Sequence, residues 1–299
     1  EICTGLTRDD VDLVVVVGGD GTVNEALNGM LGPVGEDTPE AADLPALAVI
    51  PTGSANVFTR ALGFPPDPVA ATAMLASLIR ADLRRTICLG TWNERWFAVN
   101  VGFGMDADVV ARVDEARTLG FAATPLRYLA VCLLVWTRAQ LRPPRIDVTA
   151  TAPDGRTLSL QRVPLFVASN TNPWTFLGPL PVVTNPRNSF DRGLGLFGLT
   201  SLQGLRGAAS MLHLIGFGHR TVIEDWIRGR TVQFDDAAEV LLECPEPQPF
   251  QADGECEGEF ARAHLGSRRD VVEVYAPRQA YPVASRTWRQ VVRDVFRIH

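Results

Sequence analysis

The amino-acid sequence predicts an α/β domain followed by a domain rich in antiparallel β-strands. Two strand–loop–helix units follow one another within the first 65 residues. After about Arg85 the pattern changes to short alternating strands, separated by turns such as Pro153–Arg156 and Ala252–Gly254. With 299 residues, of which 46% are hydrophobic and 21% charged, the chain has the composition of a globular protein with a substantial core.

The first unit begins with Leu13–Val17, a continuous apolar run typical of a strand that is buried on both faces of a parallel sheet. A glycine-rich loop, Gly18–Thr22, follows this strand. Thr22 and Glu25 have the spacing of a capping box, and apolar residues at helical spacing follow them. The sequence therefore predicts a helix that begins at the end of the glycine-rich loop.

The second unit repeats this order. Leu47–Ile50 is a short apolar strand, Pro51–Ser54 is a loop, and Ala55–Leu62 is a helix that Gly63 closes. Two such units in succession predict a doubly wound parallel sheet. Their loops are expected to share the crevice at the carboxyl ends of the strands.

The remaining residues define the expected domain boundaries. We assign residues 1–84 to the α/β domain, together with a helical carboxyl-terminal segment, 283–299, and residues 85–282 to the β-rich domain. Two helices, Pro125–Leu141 and Leu202–Ile215, are predicted to interrupt the second domain.

Composition excludes several functions. All 28 basic residues are arginine, so a Walker A lysine and a pyridoxal Schiff base are impossible. The longest apolar stretch, Leu129–Trp136, is far shorter than the roughly 20 residues that cross a bilayer. Five scattered cysteines without a CxxC pair favour reduced thiols and a cytoplasmic protein. A net charge of -6 gives no support for nucleic-acid binding.

The Gly18–Thr22 loop has the character of a phosphate-binding site. Its glycines allow the backbone to approach a ligand closely, and the following helix start offers unpaired N–H groups. Asp20 would repel phosphate unless a divalent cation lies between the charges, so it is a candidate Mg²⁺ ligand, directly or through water. The alternative is a local cap within a glycine-rich turn.

Four segments in order resemble the diacylglycerol kinase catalytic-domain family, specifically its bacterial soluble lipid kinases, which are related to sphingosine and ceramide kinases. They are GGDGTVNEALNGM at Gly18–Met30, PTGSANVFTRALG at Pro51–Gly63, NVGFGMDADV at Asn100–Val109 and ADGE at Ala252–Glu255. GGDGT alone also occurs in NAD kinases and phosphofructokinases. The continuation NEALNG and the distant DGE narrow the resemblance to the diacylglycerol kinase family.

This resemblance implies a doubly wound, NAD-kinase/phosphofructokinase-like α/β nucleotide-binding domain, an antiparallel β-sandwich domain, and a cleft between them. It implies an ATP-dependent lipid kinase that phosphorylates a hydroxyl of diacylglycerol or a related lipid at the membrane surface. Two further expectations are a homodimer and peripheral attachment to the inner face of the membrane. Asp20 would organise Mg²⁺, and Glu255 would accept the proton of the lipid hydroxyl. The residues expected to bind ATP are Gly18, Gly19, Asp20, Gly21, Thr22, Asn24, Glu25, Gly53, Ser54 and Asn56.

Glu255 also has a simpler interpretation. Glu257 and Glu259 repeat at strand spacing, so Glu255 could belong to the solvated face of an ordinary hairpin. The presence of all four motifs favours the catalytic role.

Three departures from the family pattern leave other functions open. The given sequence starts just before the GGDGT strand, so we expect the strand and helix with which relatives usually begin to be missing. Val57 stands where relatives often have Asp, and Arg192 stands where many have a structural-metal ligand, although Asp191 could substitute. These departures favour a catalytically impaired regulator that binds nucleotide or lipid as one alternative. GGDGT alone suggests another, an NAD-kinase-like enzyme.

Overall fold

The computed structural model describes residues 2–118, 125–177, 180–214 and 226–278. The predicted carboxyl-terminal helix, 283–299, lies outside the described residues. The helices are α1 Asp20–Leu31, α2 Val57–Ala61, α3 Pro68–Arg80, α4 Met105–Thr118, α5 Pro125–Leu141 and α6 Gly204–Leu214, with a 3₁₀ turn at Arg228–Arg230. The strands are β1 Leu13–Gly18, β2 Ala46–Pro51, β3 Arg84–Trp92, β4 Arg95–Phe97, β5 Asn100–Gly104, β6 Ile146–Thr151, β7 Thr157–Val163, β8 Leu165–Ser169, β9 Thr175–Leu177, β10 Leu180–Val182, β11 Leu194–Leu199, β12 Thr231–Ala237, β13 Glu239–Ala252 and β14 Glu255–Tyr275.

One mixed sheet of 12 strands connects both halves of the described structure. Its main order is β1-β2-β14-β13-β5-β8-β11-β12. β1 and β2 are parallel, whereas β14 is parallel to β2 at one end and antiparallel to β13 and β3 along most of its length. The α/β architecture with a mixed sheet is thus confirmed, while the β-sandwich and the domain boundaries stay predictions.

The α/β end of this sheet is covered by an apolar core. Leu27 of α1, Phe58 of α2 and Leu75 of α3 pack in one cluster with Leu47 of β2 and Val272 of β14. All five side chains are at most 3% exposed. Since each fully buried side chain of this size contributes about 1.5–3 kcal/mol, this cluster holds the helices and their preceding loops in place.

The predicted burial of β1 on both faces is wrong in the described structure. Val16 is buried, but Val15 and Val17 are 46% and 60% exposed. Within the described residues, β1 pairs only with β2 and therefore lies at the edge of the sheet. A run of valines satisfies either arrangement, so composition alone did not distinguish them.

No helix within the described ranges has both the length and the apolar character that a membrane span requires.

Candidate active site

The two glycine-containing loops meet at the ends of β1 and β2. These strands are in register up to the pair Gly18 and Pro51, so both loops leave the sheet at the same edge. A Cβ atom placed on Gly53 would lie 2.6 Å from Gly19 Cα, closer than real Cβ contacts come. The two backbones therefore touch, and glycine is required where they do.

Asp20 links the first loop to the second helix. Its Oδ2 accepts a hydrogen bond from Val57 N at 3.0 Å, and its Oδ1 accepts one from Phe58 N at 2.9 Å. Burial raises the pKa of Asp20, while these two donors and the charge of Arg60 oppose that rise. Asp20 thus caps the amino terminus of α2.

The predicted capping box is wrong. Helix α1 begins at Asp20, with Gly19 as its N-cap and no side-chain cap hydrogen bond. Thr22 therefore lies within the first turn, where its side chain would obstruct any Cβ on Gly18. Glu25 is 76% exposed and accepts a hydrogen bond from Arg95 at 3.2 Å. Helix α1 therefore begins earlier in the chain than the capping-box pattern of Thr22 and Glu25 indicated.

The second loop is closed by Asn56. Its Oδ1 accepts a hydrogen bond from Gly53 N at 2.9 Å, and its Nδ2 donates to Gly53 O at 2.7 Å. Asn56 has a left-handed backbone conformation, with φ 49° and ψ 47°, which Asn tolerates better than most residues. Ser54 lies at the exposed tip of this loop.

Glu255 lies against the first turn of α1. A two-residue turn, Asp253 and Gly254, joins β13 to β14, and both residues have positive φ as such hairpins require. Glu255 is the first residue of β14. A Cβ placed on Gly21 would lie 2.6 Å from Glu255 Oε1. The structure therefore places the carboxylate of Glu255 beside the glycine-rich loop Gly18–Thr22, as the kinase interpretation requires.

Asp253 is a buried anchor that sequence reasoning missed. Its carboxylate accepts hydrogen bonds from the backbone N–H groups of Ala98, Val99 and Asn100 and from Asn24 Nδ2, at 2.7–3.0 Å. Burial raises its pKa to about 6 against the effect of these donors. The Asp-Gly pair predicted a turn, but no pattern indicated what the carboxylate would bind.

Asn24 is the partner of this anchor in α1. It is 5% exposed, and its Nδ2 donates to Asp253 Oδ2 at 2.8 Å and to Trp96 O at 3.0 Å. Its amide group is thus engaged within the protein.

A second buried carboxylate, Asp106, connects to the same hairpin. It lies in the first turn of α4, and burial raises its pKa to about 6. Gln251 Nε2 donates to Asp106 Oδ2 at 2.9 Å and to Asn100 Oδ1 at 2.8 Å, while Gln251 Oε1 accepts from Gly254 N at 2.9 Å. The turn before Glu255 is therefore held from both sides.

The described residues fit a metal that arrives with a nucleotide better than a metal held by protein ligands alone. Among them, no group of three or more His, Cys, Asp or Glu side chains could hold a metal ion. Each oxygen of Asp20 accepts a hydrogen bond from a backbone N–H, that of Val57 or that of Phe58. Near Arg192, Asp191 accepts from Arg85 at 3.2 Å, so a guanidinium already neutralises this carboxylate.

Comparisons with known proteins find similarity to lipid kinases. Residues 1–91 match the family model for the diacylglycerol kinase catalytic domain. A diacylglycerol kinase of Staphylococcus carnosus is 25% identical over 273 residues, covering 91% of this chain and 78% of that protein. A probable YegS-like lipid kinase of Stenotrophomonas maltophilia is 35% identical over 116 residues, covering 37% of this chain and 35% of that protein.

The fold also has solved counterparts. The crystal structure of a putative diacylglycerol kinase from Bacillus anthracis superposes with a TM-score of 0.64 and 22% identity, covering 91% of this chain and 78% of that one. Residues 1–91 are thus similar to the diacylglycerol kinase catalytic domain, and most of the chain is similar to bacterial diacylglycerol kinases.

Proposed function

We propose that this protein is an ATP-dependent lipid kinase that transfers the γ-phosphate of ATP to a hydroxyl of diacylglycerol or a related lipid. The observation that carries the proposal is the position of Glu255 against Gly21, at the start of α1. This places a carboxylate beside the loop that has the features of a phosphate site. Similarity to diacylglycerol kinases supports the same reaction class.

The glycine loops would hold the phosphates of ATP. The N–H groups at the start of α1 lack partners within the helix and favour an anion. Gly19 and Gly53 keep both loops free of side chains where they touch, so a ligand can come close to the backbone there. In a chain without lysine, these donors replace the ammonium group that other nucleotide sites use.

Asp20 would connect the phosphates to Mg²⁺ through a metal-bound water. The metal neutralises the charge that develops on the phosphates during transfer. Asp20 is fixed for this role because its carboxylate is held by the amino terminus of α2.

Glu255 would act as the proton acceptor. The lipid O–H bond breaks, its proton passes to a carboxylate oxygen of Glu255, and the lipid oxygen forms a bond to the γ-phosphorus. The bond between that phosphorus and the β–γ bridging oxygen breaks, and ADP leaves. Glu255 is exposed, whereas Asp253 beside it is buried and accepts four hydrogen bonds.

The test is incubation of the purified protein with γ-labelled ATP, Mg²⁺ and mixed micelles containing diacylglycerol, ceramide or sphingosine, with NAD as a separate acceptor. The proposal predicts a labelled lipid phosphate and no labelled NADP. Label in NADP alone would identify an NAD-kinase-like enzyme, and ATP binding without any labelled product would identify a regulator.

A further inference from the structure

A polar cavity of about 380 Å³ lies beside the paired strands β3 and β14. Its walls include Arg85 and Cys88 of β3 and Arg269 and Asp270 of β14. Phe190, in the loop before β11, and Arg278, after β14, also line it. None of the residues that we assign to the proposed kinase site lines it. It is therefore a separate candidate binding site.

A break in the β3–β14 ladder forms one side of this cavity. The pairing register shifts between Arg268 and Val272, and Asp270 has a positive φ of 52°. Arg269 and Asp270 therefore leave the regular ladder and line the cavity. On the opposite side, Cys88 N donates to Phe190 O at 2.7 Å and holds the loop in place.

The charges around the cavity are unbalanced. Asp191, which also lines it, accepts from Arg85, and Asp270 accepts from the Thr86 hydroxyl at 3.0 Å. Within the part of the chain that the structure describes, the side chains of Arg269 and Arg278 form no salt bridge or hydrogen bond. Three arginines therefore line the cavity together with two aspartates, which leaves an excess of positive charge in a protein whose net charge is -6.

Arg85 adds a buried donor without an acceptor. Its side chain is 13% exposed, and its Nε is buried with no hydrogen-bond partner among the described residues. Buried polar groups in native proteins almost always have a partner, so the unsatisfied Nε of this cavity-lining residue indicates a missing acceptor. An oxyanion is the acceptor that also neutralises the neighbouring guanidinium groups.

We propose that this cavity binds an oxyanion of the phosphate class through Arg85, Arg269 and Arg278. Guanidinium groups present paired N–H donors whose geometry matches phosphate oxygens, and they bind phosphate more specifically than a point charge does. The cavity is larger than one phosphate group needs, so a phosphate monoester also fits the proposal. Both inorganic phosphate and the head group of a lipid phosphate present this chemistry.

The proposal is tested with two double variants of equal charge. Arg269→Gln with Arg278→Gln removes the two unpaired guanidinium groups of the cavity. Arg142→Gln with Arg145→Gln removes two exposed arginines that do not line it. Both variants keep the glycine loops, so any phosphate bound at the proposed nucleotide site contributes equally to both.

Binding is measured by equilibrium dialysis with labelled inorganic phosphate, and separately by sedimentation with phosphatidylcholine vesicles with and without phosphatidic acid. We expect the cavity variant to bind at least 10-fold more weakly than the wild type in one or both arms, and the control variant to be unchanged. The arm that responds identifies the source of the phosphate. Equal binding by both variants and the wild type in both arms would overturn the proposal.

A conservative variant distinguishes lost binding from lost structure. Arg269→Lys with Arg278→Lys keeps both positive charges but removes the paired donors, so we expect affinity between those of the wild type and the Gln variant. All variants should retain the wild-type melting temperature without phosphate. If the Lys variant binds no better than a folded Gln variant, recognition by charge at these two positions is refuted.

Discussion

Asn24 and Asp253 are joined by a buried hydrogen bond of 2.8 Å that ties the first helix to the hairpin before Glu255. Asn24 belongs to the segment that follows the glycine-rich loop, and Asp253 belongs to the distant ADGE segment. Because Asp253 is also fixed by three backbone N–H groups, the turn has little freedom to move. We infer that this bond sets the position of Glu255 relative to Gly21.

Removing this bond should lower turnover as well as stability. In Asn24→Ala, Asp253 loses one donor and Trp96 O loses another, so we expect the free energy of unfolding to fall by about 1–3 kcal/mol. We also expect kcat to fall more than the KM for ATP rises, since the proton acceptor is displaced. Urea unfolding and steady-state kinetics measure both effects.

Asn172→Ala is the matched control, because it removes an amide hydrogen bond to Pro186 O in another loop. It should leave kcat unchanged. If Asn24→Ala loses stability but keeps the wild-type kcat, the bond has no part in positioning Glu255.

Gly21→Ala should impair catalysis without weakening the helix. Alanine favours a helix over glycine by about 1 kcal/mol, but its Cβ would lie 2.6 Å from Glu255 Oε1 and force the carboxylate away. We expect a lower kcat at equal or higher thermal stability. Gly29→Ala, in the same helix, faces Cys3 and should not change kcat. Equal kinetics in the two variants would contradict the proposed role of the Gly21 contact.

Asp20→Ala separates helix capping from metal organisation. Like Asp67, which accepts from Ala70 N at the start of α3, Asp20 caps a helix. Losing either carboxylate should cost about 0.5–2 kcal/mol of stability. Only Asp20→Ala should also raise the Mg²⁺ concentration that gives half-maximal activity. A similar Mg²⁺ dependence in Asp20→Ala, Asp67→Ala and the wild type would leave Asp20 a structural cap only.

The burial of Asp106 predicts a pH dependence of stability. Its pKa is about 6 in the folded protein against a usual value of 3.8, so the folded state favours the protonated form. Stability contributed by this group therefore falls as pH rises from about 4 to about 6, by up to about 3 kcal/mol. Asp253 has the same kind of shift and should act in the same direction.

Asp106→Asn should consequently lose less stability between pH 4 and pH 7 than the wild type does, as measured by urea unfolding. Asp108→Asn is the control, because Asp108 is half-buried and paired with Arg112 at 3.1 Å. A pH dependence in Asp106→Asn as steep as that of the wild type would show that Asp106 does not titrate in this range.

The sequence predicted those parts of the site that depend on local chain chemistry. Glycines after an apolar strand indicated the loop at Gly18, and an Asp-Gly pair indicated the turn before Glu255. Interactions between distant segments could not be predicted in this way. The bonds from Asp20 to Val57 and Phe58 and from Asn24 to Asp253 depend on how the sheet brings separate loops together.

The edge position of β1 illustrates the same limit. A valine run indicates a strand but carries no information on how many neighbours the strand has, so the exposure of Val15 and Val17 followed only from the sheet order. The early start of α1 has a local cause. Glycine at the N-cap left no side-chain signal for the true beginning of the helix.

The central claim is that Glu255 accepts the proton of the lipid hydroxyl, and Glu255→Gln tests it most directly. Glutamine keeps the size of the side chain beside Gly21 but cannot accept the proton at neutral pH. We predict that the variant binds ATP with the wild-type Kd while lipid phosphorylation falls at least 100-fold, in line with the usual contribution of about 10²–10⁴ from a general base. Lipid phosphorylation at the wild-type rate in a folded Glu255→Gln protein would contradict the account.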